Sequence, residues 1–189
     1  MLKTFLILTS ILGYSTTFAA DDAVIKIINT ESTGEKFESP GTKTVYQVGP
    51  NSKLKIEYQA KKEKAELYRG SVRIRVKKNS GEAGSKKEPK FQLKTISAIM
   101  GVRGTDFLAT TSPLLDESEI VVFEGIVDFT SLMDQKDTRT VNAGQWGGIG
   151  GRFGITTHEL INLPAAALKH FDTTSTIDSE KTGTPKKGR

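Results

Sequence analysis

Residues 72–77 read Val-Arg-Ile-Arg-Val-Lys, an apolar side chain at every second position with a cation between. That period of two fits a half-buried β-strand and excludes an amphipathic helix. Shorter runs of the same kind surround it: Val24 to Ile28, Val45 to Val48, Leu54 to Tyr58, Phe107 to Thr110, Ile120 to Phe123 and Ile126 to Phe129. Turn clusters such as Ser39-Pro40-Gly41 and Gly49-Pro50-Asn51-Ser52 separate them, so the chain reads as all-β with many short strands. Only residues 157–171 suggest helix. There Pro164 suits a first helical position, and Leu160, Ile161, Leu163, Leu168 and Phe171 are available to pack on a sheet.

The 189 residues give room for one domain with tails. Residues 1–19 have Lys3, an apolar segment from Phe5 to Gly13, and small residues at Thr17 and Ala19. This is the pattern of a secretory signal peptide cleaved after Ala19, and its apolar part is too short for a bilayer span. No integral membrane segment is expected after cleavage, and the protein is expected in the periplasm or outside the cell. The expected layout is a signal peptide at 1–19, a β domain at 20–156, a helical extension at 157–171 and a disordered tail at 172–189.

There is no cysteine. Disulfides, thiol catalysis and zinc–thiolate sites are therefore excluded. The formal charge of +5 falls to about +4 when Lys3 leaves with the signal. So mild a balance in an exported chain argues against nucleic acid as a partner and leaves acidic proteins or anionic glycans.

Gly101-Val102-Arg103-Gly104-Thr105-Asp106-Phe107 follows the apolar stretch from Phe91 to Met100. Two glycines bracket one arginine, which predicts a turn or bend. An arginine in apolar surroundings needs a carboxylate. Asp106 and Glu124 are the nearest candidates for a bidentate staple with Arg103, a structural role in preference to a ligand site. Gly125, between two apolar runs, predicts a bulge or sharp corner.

Catalytic groups do not converge. His158 and His170 lie twelve residues apart across Pro164, which is not a metal-ligand spacing, and no serine sits in a Gly-x-Ser-x-Gly elbow. Nothing pairs Asp106, Asp128, Glu124 or Glu159 as glycosidase carboxylates. Gly147-Gly148-Ile149-Gly150-Gly151 lacks the Gly-Lys-Ser/Thr ending of a phosphate loop and reads as a flexible or tightly turned loop. The expectation is no enzyme, no cofactor and no metal.

Three stretches then carry a resemblance: residues 95–107, Thr-Ile-Ser-Ala-Ile-Met-Gly-Val-Arg-Gly-Thr-Asp-Phe; residues 122–127, Val-Phe-Glu-Gly-Ile-Val; and residues 141–145, Val-Asn-Ala-Gly-Gln. Their order and spacing resemble the FecR domain of bacterial envelope proteins. Asn51 to Ile56 and Leu67 to Val72 extend the likeness to about residues 45–145. Ile96 stands where the family usually has proline. The resemblance implies a compact β-solenoid-like or roll domain outside the cytoplasmic membrane, with Gly101 to Phe107, Glu124 and Gly125 as its structural signature. Known members carry a cytoplasmic anti-sigma segment and a transmembrane helix. Neither is seen here, so the expectation is a stand-alone exported FecR-domain protein.

The leading functional expectation is a non-enzymatic envelope module that binds another protein, in signalling or assembly. A sheet edge or the loops at 79–90 and 147–151 are the expected contacts. The alternative is binding of an anionic cell-wall or lipopolysaccharide component through Arg73, Arg75, Lys77 and Lys78, in line on the charged face of the alternating strand.

Overall fold

The computed structural model describes residues 23–59, 62–77, 91–102, 104–157 and 159–176. The signal peptide, Arg103, Lys78, the 79–90 loop, His158 and the tail beyond residue 176 lie outside the described residues. The strands are β1 (Val24–Asn29), β2 (Glu35–Glu38), β3 (Val45–Val48), β4 (Lys53–Gln59), β5 (Lys62–Arg75), β6 (Phe91–Lys94), β7 (Ala98–Val102), β8 (Asp106–Ser112), β9 (Glu117–Glu124), β10 (Ile126–Ser131), β11 (Thr138–Asn142), β12 (Gln145–Ile149) and β13 (Ile161–Asn162). Among the described residues, a 3₁₀ turn at Gly151–Phe153 and one helix, α1 (Ala165–Ser175), accompany the strands.

All thirteen strands join one sheet, curled into a half-barrel with two arms. The first arm runs β1-β4-β5-β6-β7-β10-β11, the second β2-β3-β5-β8-β9-β12-β13. β5 belongs to both: Lys62 to Arg69 pair with β4, and Gly70 to Arg75 pair with β8. The bend falls at Gly70, whose φ is 84°. A Cβ there would lie 2.7 Å from the Ser52 Cα, so only glycine fits the corner. One pairing is parallel, β5 with β6, and the other pairings are antiparallel. The expected all-β domain with a short C-terminal helix is present as a curled half-barrel sheet; of the solenoid-like or roll form that the resemblance implied, a solenoid is not borne out.

Alternate residues of both arms face inward. Ile28, Leu54, Ile56, Leu67, Phe91, Leu93, Met100 and Phe129 come from the first arm, and Tyr46, Val72, Ile74, Phe107, Ile120 and Val122 from the second, all essentially buried. Tyr46 and Phe91 meet edge-on across the core at 6.1 Å. A buried aromatic or branched aliphatic side chain contributes about 1.5–3 kcal/mol, so this interior holds the arms together without disulfides.

At one end of the half-barrel the chain crosses between arms three times: between β7 and β8, at Gly125 between β9 and β10, and at Ala143–Gly144 between β11 and β12. The crossings stack. Ala143 N donates to the Gly125 carbonyl at 3.2 Å, and Gly144 N to that of Val122 at 2.8 Å. Gly125, at φ 84°, is the expected sharp corner, and a Cβ on it would come within 2.5 Å of Thr105 Cγ2 and 2.9 Å of the Gly104 carbonyl oxygen.

Three local readings change. The helix is confined to Ala165–Ser175 with Pro164 as its N-cap, because Ile161 and Asn162 instead pair with Trp146 and Gln145. Asp172 to Ser175 continue the helix rather than starting a tail. Gly147 to Ile149 form strand β12, not a loop, and the absence of side chains lets Leu160 and Phe153 lie flat on Gly147 and Gly148.

Candidate functional site

Arg73 and Arg75 leave β5 on its outward side, since Val72 and Ile74 fill the core. Asp106, the first residue of β8, pairs with Arg75 in the register. Its carboxylate receives Arg73 Nε at 2.8 Å on Oδ1 and Nη2 at 2.9 Å on Oδ2, while Arg75 Nε and Nη2 approach Oδ2 at 3.0 and 2.8 Å. Behind Arg73 lies the Phe123 ring, 4.2 Å from the guanidinium carbon. The remaining nitrogen, Nη1, meets Asp172 Oδ1 at 2.7 Å and donates to the Asp172 carbonyl at 3.1 Å and the Thr176 hydroxyl at 3.0 Å. Burial alone would raise the Asp106 pKa. The hydrogen bonds and charges of Arg73 and Arg75 outweigh it and hold the carboxyl below its usual range.

This corrects the expected basic face. Arg73 is only 4% exposed, because Phe123 and the end of α1 cover it. Arg75 and Lys77 are exposed, and Lys78 lies outside the described residues. Asp106, one of the two carboxylates offered as a partner for Arg103, is engaged by Arg73 and Arg75, and Arg103 itself lies outside the described residues. Among the signature residues, Gly101, Val102 and Phe107 sit in strands, and Gly104 takes φ 59° at the bend. Thr105 accepts a hydrogen bond from Val76 N through its carbonyl at 2.8 Å. Glu124 lies opposite Asp106 in the β8–β9 register.

A second polar cluster escaped the sequence reading. Glu63, on the inward face of β5 with Ala65 and Leu67, is buried, and its Oε2 accepts a hydrogen bond from the Thr42 hydroxyl. Glu63 Oε1 and the Tyr46 hydroxyl are buried without a hydrogen bond of ordinary geometry. Burial, and then the Glu63 charge, push the Tyr46 pKa upward. The alternation Glu63-Lys64-Ala65-Glu66-Leu67 contained the signal for this inward carboxylate. Among the described residues no group of three or more His, Cys, Asp or Glu is arranged to hold a metal, and no helix is long and apolar enough to cross a membrane.

At the end opposite the stacked crossings, several loops are tied together. Leu132 N donates to the Ser97 carbonyl at 2.9 Å, Ser97 Oγ to Ser118 Oγ at 2.7 Å, and Thr157 N to Asp137 Oδ2 at 2.9 Å. Arg152 is braced at 2.7 Å by Glu119, which also accepts from the Trp146 indole. The loop tips raise apolar side chains into solvent: Leu114 is 97% exposed, Met133 84% and Ile155 80%, with Leu115 and Ile96 beside them. These exposed apolar side chains stand on loops at the same end of the sheet.

These observations define a class, a small two-armed β-roll with glycine corners and an arginine–carboxylate clamp on one outer face. The chain belongs to the FecR family: the family model described as FecR protein matches residues 27–128, more than half of its length. Its fold is similar to those of two crystal structures, at 2.50 and 1.65 Å resolution, each of a candidate anti-sigma factor from Parabacteroides distasonis ATCC 8503. These are 14% and 15% identical, with TM-scores of 0.60 and 0.56, and the matches cover 78% and 77% of this chain. The chain spans 64% of the length of each. No curated protein matches it.

Proposed function

We propose that this protein is an exported, non-enzymatic envelope module that binds another protein, in a signalling or regulatory role. The carrying observation is the cluster of exposed Leu114, Leu115, Met133 and Ile155 on the tied loops at one end. Family membership and the shared fold of a candidate anti-sigma factor support the regulatory part. The apolar segment at residues 5–13, with small residues at Thr17 and Ala19, supports export to the periplasm or beyond. Exposed apolar groups on a rigid scaffold gain most from desolvation against a complementary protein.

A photo-crosslinking residue at Leu114 or Met133 of the full chain, expressed in its native envelope, tests this reading. One discrete protein adduct is expected, lost when Ile155 is changed to Asp and absent when the crosslinker sits at Lys55 on the first arm. Equal adducts from all three positions, or none from the loops, would overturn it. Among the described residues of its face, the glycan reading keeps Arg75 and Lys77 as exposed cations; steep weakening of polyanion binding with salt would favour it.

A further inference from the structure

Arg73 is set flat by its two bonds to Asp106 and backed by the Phe123 ring, which leaves Nη1 facing away from the sheet. A planar cation fixed in this way offers its spare donors as a receptor for a second carboxylate. In this structure the receptor is filled by the chain's own Asp172. The Asp172 carbonyl and the Thr176 hydroxyl share the same Nη1, and away from Arg73 the helix is weakly held. No residue of α1 is buried; Ala167, Leu168 and Phe171 are half-buried, and the Asp172 side chain is 54% exposed. A helix with so little buried surface belongs to the least stable part of a domain.

We propose that α1 is a releasable strap, and that the Arg73–Phe123 site beneath it is a docking point for a protein segment that offers a carboxylate in place of Asp172. Arg75, exposed beside it, adds positive potential that favours an acidic incoming segment. Release of α1 uncovers the site, and the partner's carboxylate competes with Asp172 for the same Nη1 donors. This inference stands apart from the loop reading, because it concerns the outer face of the second arm and is read by a different measurement.

Hydrogen exchange on the full chain tests it. Asp172→Asn is expected to speed exchange of the α1 amides about fivefold, the value of a partly exposed ion pair, with β8 and β9 unchanged. In the unaltered chain, the probe N-acetyl-aspartate N-methylamide should speed α1 exchange more than chloride at equal ionic strength. In Asp172→Asn the probe should speed α1 exchange by a similar factor again, because the Arg73 Nη1 that it binds is unchanged. Unchanged α1 exchange in the variant, a parallel rise in β8 and β9, or equal effects of probe and chloride would each overturn the proposal.

Discussion

Replacing Asp106 by Asn strips the charge from a carboxylate that receives four guanidinium N–H groups at 2.8–3.0 Å. The amide keeps one acceptor oxygen, but its NH₂ then faces guanidinium donors, and Arg73 is left charged and nearly solvent-free. Removing one partner of a buried pair costs about 3–5 kcal/mol. Arg73 keeps Asp172 and Phe123, which places the expected cost near the lower end, about 3 kcal/mol. Arg75→Gln, at a side chain 54% exposed, should cost less than about 1 kcal/mol. Urea unfolding followed by the single tryptophan, Trp146, reads both, with the slope unchanged and the midpoint lowered. In heating, Asp106→Asn should lower the melting temperature by about 6–12 °C for a domain of this size. If the two variants fall within about 1 kcal/mol of each other, the clamp does not bear on stability as argued. The pair Arg73→Met with Asp106→Leu gives a sharper check, since removing both charges should recover most of the loss. A double variant as unstable as Asp106→Asn would mean that an orphaned charge is not the cause.

Gly125→Ala should cost about 1–3 kcal/mol more than Gly144→Ala by urea midpoint. Both sites have positive φ, but only at Gly125 would a Cβ strike neighbouring atoms. Asp106 has a folded pKa below its unfolded value of about 3.9, so its contribution is complete above that pH and is lost as pH falls through the folded value. The stability gap between wild type and Asp106→Asn should therefore narrow in acid. Tyr46 has a folded pKa above its unfolded value of about 10, so stability is complete below pH 10 and is lost as pH rises beyond it. Tyr46→Phe, which removes the titrating hydroxyl, should remove that alkaline loss. Met133→Asp should leave the urea midpoint within about 0.5 kcal/mol and still reduce capture of the crosslinked partner.

The strands were readable because one face of each is buried, and burial of one face forces a period of two. Gly125 was readable because two apolar runs separated only by Glu124 and Gly125 leave space for nothing but a corner. Arg73 was misread for a definite reason: alternation says that it points outward but not whether that side is covered, and the cover comes from Asp172, 99 positions away. Gly147 and Gly148 misled for a related reason. Their lack of side chains serves packing against Leu160 and Phe153, which no local pattern reveals. The division of β5 between two arms was hidden as well, since a bend inside a fourteen-residue strand leaves the alternation on either side intact.

That undivided strand limits how the molecule can respond to load. β5 runs from one arm into the other without a break in the chain, and its two halves take their neighbours from different arms. The arms therefore cannot swing apart like the jaws of a clip without tearing the ladder at Gly70. A pull or push received at the loop tips must pass to the opposite end as a tilt of the whole body, in the manner of a stiff lever. Any yielding is left to pieces attached from outside, and α1 is such a piece.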